Sequence, residues 1–508
     1  MTDPVRPTSE ALEEAEHGSG PPDPRRWLAL TVIAVAQLMI VLDASIVNIA
    51  LPSAQADLDI SDANRQWAVT AYTLAFGGLL LLGGRIADYT GRKRTFIIGL
   101  FGFAGASALG GVAPNQELLF AARGLQGAFA ALMAPAALSL ITVTFTEPKE
   151  RAKAFGVFGA LAGGGAAIGL VVGGVLTEYF SWRWCLGVNV PIALLTALAA
   201  VPLVHESKAH GDTRYDVPGA VLATLGLVSL VYGFTEAAKE DVGWSHPSTI
   251  FFLVAAGVLL VAFLVLERRV KNPLLPLHIL RDRNRGGSYL TFLLVAAGLF
   301  AMFLFLTFYL QAVLGYSPLK AGFAFLPFSG GIIISAGVVA QLLPRVGPRP
   351  LILIGLTMAT VGMLWLTQIG PETSYVTHVL PPMIVMSVGM AGVFIPASST
   401  ALVGVGGHDA GIASAVLNTS QQIGGSLGLA LLNTMYAGAV SGYMTDNRLQ
   451  PVETPFGLQP PHDALVHGYV VSFVWGASLL LGALVVATLM INAKKDDIPS
   501  EPGLAAAA

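Results

Sequence analysis

The sequence predicts an all-α membrane protein of fourteen transmembrane helices, and three observations carry that prediction. Hydrophobic residues make up 54% of the 508-residue chain and charged residues only 12%, against about 25% charged in an average soluble domain. The apolar residues gather into fourteen stretches, each near the roughly 20 residues a helix needs to cross a hydrocarbon core about 30 Å thick. The basic residues then collect on alternate loops, the asymmetry that orients helices in a bilayer.

Composition also excludes. A mean hydropathy of +0.69 leaves too little polar surface to cover a water-soluble core of this size. A net charge of −3 gives no reason to expect a nucleic acid partner. Cys185 is the one cysteine, which rules out a disulfide framework and a multi-thiol metal site, and the nine histidines show no zinc-ligand spacing. No cofactor and no metal is expected. No phosphate-binding G-x-x-x-x-G-K-[ST] loop occurs, and no nucleophile–base arrangement falls at a membrane face, so the chain is not expected to be an enzyme.

Taken in order, residues 1–26 are polar, acidic and rich in proline, without the basic start, apolar stretch and cleavage site of a secretory signal. They are expected to form a disordered cytoplasmic tail. The first six spans are 27–51, 66–87, 94–113, 116–142, 152–178 and 184–203, a first bundle over 27–203. Polar stretches at 204–216 and 267–287 bracket two further spans, 217–236 and 248–267, which read as an inserted pair with its linkers over 204–287. The last six are 288–312, 318–342, 349–368, 378–402, 409–436 and 467–491, a second bundle over 288–491, followed by a second disordered tail at 492–508. With both termini cytoplasmic, inner loops and tails hold 22 of the 28 Lys and Arg. The outer loops hold Arg65, Arg183, Lys239, Lys320 and Arg448, and Arg123 lies within a span. Moving the count by one span would scramble this pattern. The halves echo each other weakly: Met133-Ala134-Pro135-Ala136 in span four resembles Phe394-Ile395-Pro396-Ala397 in span twelve, and glycine runs occur in spans five and thirteen. Paired halves are how many carriers build a site at the midplane.

Charges inside a bilayer are costly and mark function. Asp43 in span one lies about 12 Å below the outer end of its helix and Arg123 in span four about 10 Å below the same face, at 1.5 Å per residue. Opposite charges at similar depth fit either a carboxylate that changes protonation as a cavity opens to each side or a fixed ion pair holding the first half together. The loop between spans two and three reads Gly84-Arg85-Ile86-Ala87-Asp88-Tyr89-Thr90-Gly91-Arg92-Lys93-Arg94. Gly91 permits a tight turn there, and the basic residues anchor an inner loop.

That segment resembles the G-x-[LI]-A-D-x-x-G-R-[KR] loop of the major facilitator superfamily. Leu42-Asp43-Ala44-Ser45-Ile46-Val47-Asn48-Ile49-Ala50-Leu51-Pro52 is similar to the span-one signature of its 14-span drug:proton antiporters, and Arg123-Gly124-Leu125-Gln126-Gly127 to the R-x-x-Q-G of span four. Gly156, Gly165, Gly169, Gly173 and Gly174 match the spacing of the antiporter glycines in span five, with Leu170 where that signature has proline. Trp182-Arg183-Trp184 before Asn189-Val190-Pro191, and Tyr309-Leu310-Gln311 before Gly315-Tyr316-Ser317-Pro318, extend the resemblance over nearly the whole membrane region.

The resemblance implies a major facilitator fold of two six-helix bundles plus two inserted helices, working by alternating access in a bacterial plasma membrane as a monomer. It implies proton coupling through Asp43, Arg123 and Gln126, and an inner gate built from Gly84, Asp88, Gly91 and Arg92. Ile384, in register with Arg123, carries no charge, so coupling is expected in the first half alone. Spans nine to fourteen hold almost no acid, which favours neutral, zwitterionic or monocationic amphipathic substrates, drugs or antibiotics among them, exported in exchange for protons. Asn48, Tyr309, Gln311, Asn418, Gln421 and Gln422 are candidate cavity residues, although each polar side chain has a neighbouring helix to bond instead. A dedicated exporter of a lipid or self-made metabolite, and a passive facilitator, are the competing readings.

Overall fold

The structure, a computed structural model, describes residues 24–208, 216–239, 242–270, 273–275, 277–403, 410–454 and 457–497. The two expected tails fall largely outside these residues. Helices α1 (Arg26–Asp57), α2 (Trp67–Thr90), α3 (Arg92–Gly111), α4 (Gln116–Thr144) and α5 (Pro148–Tyr179) are followed by a four-residue α6 (Trp184–Gly187) that leads into α7 (Asn189–Leu203). Helices α8 (Val217–Ala237) and α9 (Pro247–Glu267) form the inserted pair. After a short α10 (Leu277–Arg281) come α11 (Arg283–Phe308), α12 (Pro318–Ala324), α13 (Leu326–Val346), α14 (Pro348–Leu366), α15 (Leu380–Leu402), α16 (Ala410–Asp446) and α17 (His462–Met490).

Among the described residues thirteen helices are long and apolar enough to span a membrane, and α5, with its apolar part at Gly164–Tyr179, occupies the fourteenth expected place. Three expected spans are interrupted. Span six begins as α6 before α7, span ten breaks at Phe325 between α12 and α13, and span twelve opens with a π-helical turn at Tyr375–Val379. A second π-helical turn, Tyr309–Val313, ends α11. The outer loop after span thirteen is shorter than expected, because α16 runs on to Asp446. It holds a small antiparallel ribbon, β1 (Val452–Thr454) with β2 (Gly457–Gln459), in which Val452 pairs with Gln459.

Side chains and prolines set the helix starts. Asn115, Asp282 and Ser317 accept hydrogen bonds from backbone N–H groups in the first turns of α4, α11 and α12, which satisfies donors that a helix start otherwise leaves open. Proline opens α5, α9, α12 and α14, where its missing N–H costs nothing. Gly91 and Gly347 turn the chain at φ +119° and +86°, conformations that glycine alone adopts freely. The two stand at equivalent places, between the second and third spans of each half. Each also packs against the chain leaving the sixth span of its own half: a Cβ at Gly91 would lie 2.8 Å from the Glu206 carboxylate, and one at Gly347 would lie 3.0 Å from the Lys495 nitrogen.

Helices α1–α5 and α7 form one bundle and α11–α17 the other. Glycine lets α16 sit on α11: a Cβ at Gly424 would collide with the Leu293 carbonyl, and one at Gly428 with the Ala297 Cα. Because backbone stands on both sides, neither clash is relieved by a rotamer change. Overpacking typically costs about 1–3 kcal/mol, so Gly428→Ala is expected to lower the melting temperature by several degrees in fluorescence-detected size-exclusion chromatography. A melting curve superimposable on the wild type would contradict this packing.

The bundles are joined on the face opposite the start of α1 and the end of α17, here called the far face. Gln311 Nε2 donates to the Ile49 carbonyl (3.0 Å), Leu319 N to Glu178 Oε2 (3.0 Å), and Asn433 Nδ2 to the Asp62 carbonyl (2.8 Å). Deeper in, the Thr73 and Ser426 hydroxyls lie 2.6 Å apart. The inserted pair rests in the groove between α2 and α16. Gln66 of the first bundle donates to Thr235 Oγ1 (2.9 Å), and Thr434 of the second donates to the Phe234 carbonyl (2.7 Å).

Candidate functional site: a buried carboxylate network in the first bundle

Five polar side chains from four helices meet inside the first bundle. Asp43 comes from α1, Ser107 from α3, Arg123 and Gln126 from α4, and Asn189 from the first residue of α7. Arg123 and Gln126 stand three residues apart and so share one helix face. None of the five is more than 1% exposed.

Asp43 is the acceptor at the centre. Its Oδ2 takes a hydrogen bond from Arg123 Nη1 at 2.6 Å, while Oδ1 takes one from Asn189 Nδ2 at 2.7 Å and one from Gln126 Nε2 at 3.0 Å. Arg123 also donates from Nη1 to Gln126 Oε1 (2.9 Å) and from Nε to the Ala68 carbonyl of α2 (2.8 Å). Its guanidinium lies over the Tyr72 ring, 4.5 Å from the centroid. Gln126 Nε2 reaches Ser107 Oγ as well, at 2.8 Å. Such pairing is what allows charges to persist out of water. The Tyr72 hydroxyl and Asn189 Oδ1 are buried without a hydrogen-bond partner. On the far side of Arg123 a small cavity opens between α1, α2, α4 and α6, walled otherwise by apolar groups such as Val47, Ala54, Leu119 and Trp182.

The residues expected to form an inner gate assemble on the face opposite the far face. Arg92 grips Asp88 Oδ1 with Nε (3.0 Å) and Nη2 (2.9 Å). The Glu206 carboxylate accepts from the backbone N–H of Lys93 and of Arg94, both at 3.1 Å, and so caps α3. Lys93 Nζ donates to the Val201 carbonyl (2.6 Å) and Arg92 N to the Ser207 carbonyl (3.0 Å). Gly84 faces Pro135 of α4. The loop is thus tied to the end of α7 within its own bundle.

Of the span-five glycines, Gly165, Gly169 and Gly173 face α1, where a Cβ would meet Leu38, Ser45 and Ile46 respectively. Gly174 faces the other bundle, with the Leu319 Cα 2.6 Å from where its Cβ would lie. Gly156 has nothing within 4 Å of such a Cβ. Leu170, in the place of the family's proline, presents its carbonyl to Gly322 of α12.

The candidate cavity residues scatter. Asn48 donates back to the Ala44 carbonyl (3.2 Å) and Asn418, exposed, to the Ser414 carbonyl (3.1 Å). Gln421 and Gln422 are half-buried, and Gln422 packs against Gly77 across the bundle interface. Tyr309 is bound to the Gly370 carbonyl (2.8 Å) and the Thr373 hydroxyl (2.6 Å) inside the second bundle, and Gln311 makes the inter-bundle bond to Ile49 described above.

Sequence reasoning quoted Asn189 only as part of a motif and passed over Ser107 and Tyr72. It also counted Arg65 as an outer-loop charge. Arg65 lies on the far face but is 1% exposed and enclosed by aromatic rings of the second bundle.

Two membrane-spanning bundles joined on one face, with an acid–base network sealed inside one of them, define a multi-pass membrane transporter. The family model described as Major Facilitator Superfamily matches residues 33–429. This chain belongs to that superfamily. It is 50% identical over 478 residues to the puromycin resistance protein pur8 of Streptomyces alboniger, which covers 94% of this chain and 93% of that protein. It is 39% identical to the cephamycin export protein CmcT of Amycolatopsis lactamdurans, over 82% of this chain and 86% of that one. Among solved structures, a bacterial homologue of the human lysosomal transporter Spinster, inward-facing and unoccupied, superposes with a TM-score of 0.66 at 16% identity, covering 94% of this chain and all of that one.

Proposed function

We propose that the chain is a proton-coupled secondary transporter that exports amphipathic antibiotics by alternating access. It works as a monomer in a bacterial plasma membrane with both termini cytoplasmic. The moving bodies are residues 27–203 and 288–491. Protons and small amphipathic substrates are its partners, with membrane lipids around it. The observation that carries the reading is Asp43, an acid sealed in the first bundle and held by three donors, one of them a cation.

A proton on Asp43 removes the charge that faces Arg123 and weakens all three bonds at once, since bonds to an ionised acceptor are about twice as strong as neutral ones. Arg123 also holds the Ala68 carbonyl at the start of α2, and α2 carries Thr73, which meets Ser426 of the other bundle. Protonation therefore bears on the helix that closes the far face, and on this reading a conformation joined there is the one that serves the cytoplasmic side. The Asp88–Arg92 loop, tied here to its own bundle, is the inner gate in the opposite state. The antibiotic class follows from the relatives named as puromycin resistance and cephamycin export proteins.

The test uses everted membrane vesicles with an acid interior. Puromycin added outside is expected to be accumulated, to dissipate the pH gradient as it enters, and to stop accumulating when a protonophore is present. Entry that stops at equilibration, with no accumulation and no effect of the protonophore on its rate, would make the chain a passive facilitator. No accumulation of any antibiotic in a broad panel would leave a dedicated lipid or metabolite carrier.

A further inference from the structure

Arg65 has no role in the proton-coupling network, yet it is among the largest fully buried side chains of the described residues. It stands just before α2 and projects across the far face into the second bundle. Its Cζ lies 4.2 Å from the centroid of the Phe308 ring, 4.4 Å from that of Tyr436 and 5.9 Å from that of Phe305. Tyr469 stacks on Tyr436 at 5.2 Å and 22°, and Tyr436 stacks on Phe305 at 5.4 Å and 21°. Rings within about 6 Å of a cation attract it through their negative faces, more strongly when water is excluded. The polar bonds are weaker partners. Arg65 reaches Asn433 Oδ1 and Asp62 Oδ1 at 3.3 Å each, the long end of the hydrogen-bond range.

Ownership of the parts gives this cage its meaning. Phe305 and Phe308 belong to α11, Tyr436 to α16 and Tyr469 to α17, so every ring is fixed in the second bundle. Arg65 and its carboxylate Asp62 both belong to the first. When the far face opens, the cation and the acid leave together and the rings stay behind. What remains is a neutral box with three π-faces and the Asn433 amide oxygen, emptied of its cation and lying in the cleft through which a substrate departs. Such a box suits an organic cation of single charge carrying apolar groups. It holds no acid to neutralise a second charge.

We propose that the Phe305–Phe308–Tyr436 cage is an exit site for monocationic amphipathic substrates, which Arg65 occupies in their place when the far face is closed. The site deepens the export reading and rests on it. Arg65 then does two things: it seals the closed face, and on return it displaces a bound cation to the outside.

The experiment has two readouts. In cells expressing the full chain, Tyr436→Leu and Phe308→Leu are expected to lower efflux of the monocationic dye ethidium at least fivefold. Efflux of neutral chloramphenicol should stay within twofold, and Tyr436→Phe, which keeps the ring, should keep ethidium efflux. Equal loss for both compounds would reduce the rings to packing and overturn the exit site. The second readout needs no transport. Purified full-length protein in nanodiscs should bind ethidium at least fivefold more tightly as Arg65→Gln than as wild type, and adding Tyr436→Leu should remove the gain. Unchanged ethidium affinity in Arg65→Gln overturns the proposal. If cells export neither compound, the export reading fails, and the nanodisc measurement still decides the cage. If Arg65→Gln does not fold, the ring variants decide it.

Discussion

Asp43→Asn is expected to abolish gradient-driven export while leaving the protein folded in the membrane. Asparagine matches aspartate in shape, so α1 keeps its packing, but two things change. The charge opposite Arg123 disappears, and the acid proposed to take up and give back the proton is gone. One amide oxygen must now serve where two carboxylate oxygens received Arg123, Gln126 and Asn189, so at least one donor competes with the new amide N–H groups. Accumulation driven by an imposed pH gradient in everted vesicles should fall at least a hundredfold, to the level of vesicles without the protein. Exchange of labelled for unlabelled substrate across the membrane needs no net proton movement and should survive. The proton-coupling role would be lost if the variant retained gradient-driven accumulation within a few-fold of the wild type.

Arg123→Leu is expected to be the more damaging change to the fold. It leaves Asp43 fully buried without its cation, and breaking a buried pair from one side typically costs about 3–5 kcal/mol. It also strips the Ala68 carbonyl of a donor and the Tyr72 ring of the guanidinium above it. Yield and melting temperature should both fall sharply. The double variant Asp43→Asn/Arg123→Leu should recover part of that loss, because it no longer buries an unpaired charge. Measuring melting temperatures for both singles and the double gives the coupling directly. If Arg123→Leu alone melts like the wild type, the pair contributes nothing to stability, and the network is not the unit described here.

Both predictions start from residues that the sequence itself singled out, and the reason is physical. A charge in a twenty-residue apolar stretch stands out against its neighbours, so Asp43 and Arg123 were visible from hydropathy and depth alone. Gly91 was visible too, since a turn between two long apolar runs needs a residue tolerant of positive φ. What hydropathy does not show is which neutral polar residue turns toward which neighbour. Ser107 and Asn189 sit among many serines and asparagines in or beside membrane helices, and only the packing of α3 and α7 on α4 and α1 selects them. Tyr309 and Gln311, which the sequence offers either as cavity groups or as partners of a neighbouring helix, bond to Gly370, Thr373 and Ile49. Arg65 was hidden for another reason. Loop position suggests solvent, and only the approach of the second bundle encloses it. Glu206 and the parallel between Gly91 and Gly347 were likewise unreadable, because contacts between sequentially distant chain ends leave no periodic trace.

The inserted helices bear on a different matter, the route by which a lipophilic compound reaches the protein at all. A carrier made of two bundles has two flanks where its halves meet, and each is a potential doorway for molecules dissolved in the bilayer. On one flank α8 lies lengthwise over the join, with Thr224 against Gly78 and Leu227 and Val231 clustered with Leu74 and Ala430. On that side an acyl chain or a dissolved drug meets the outer surface of a helical hairpin instead of the crevice. The other flank, where α5 meets α12 and α13, carries no such cover among the described helices. The two seams are thus unequally shielded from lipid, one roofed by a helical hairpin and the other formed by α5 and its neighbours in the second bundle alone.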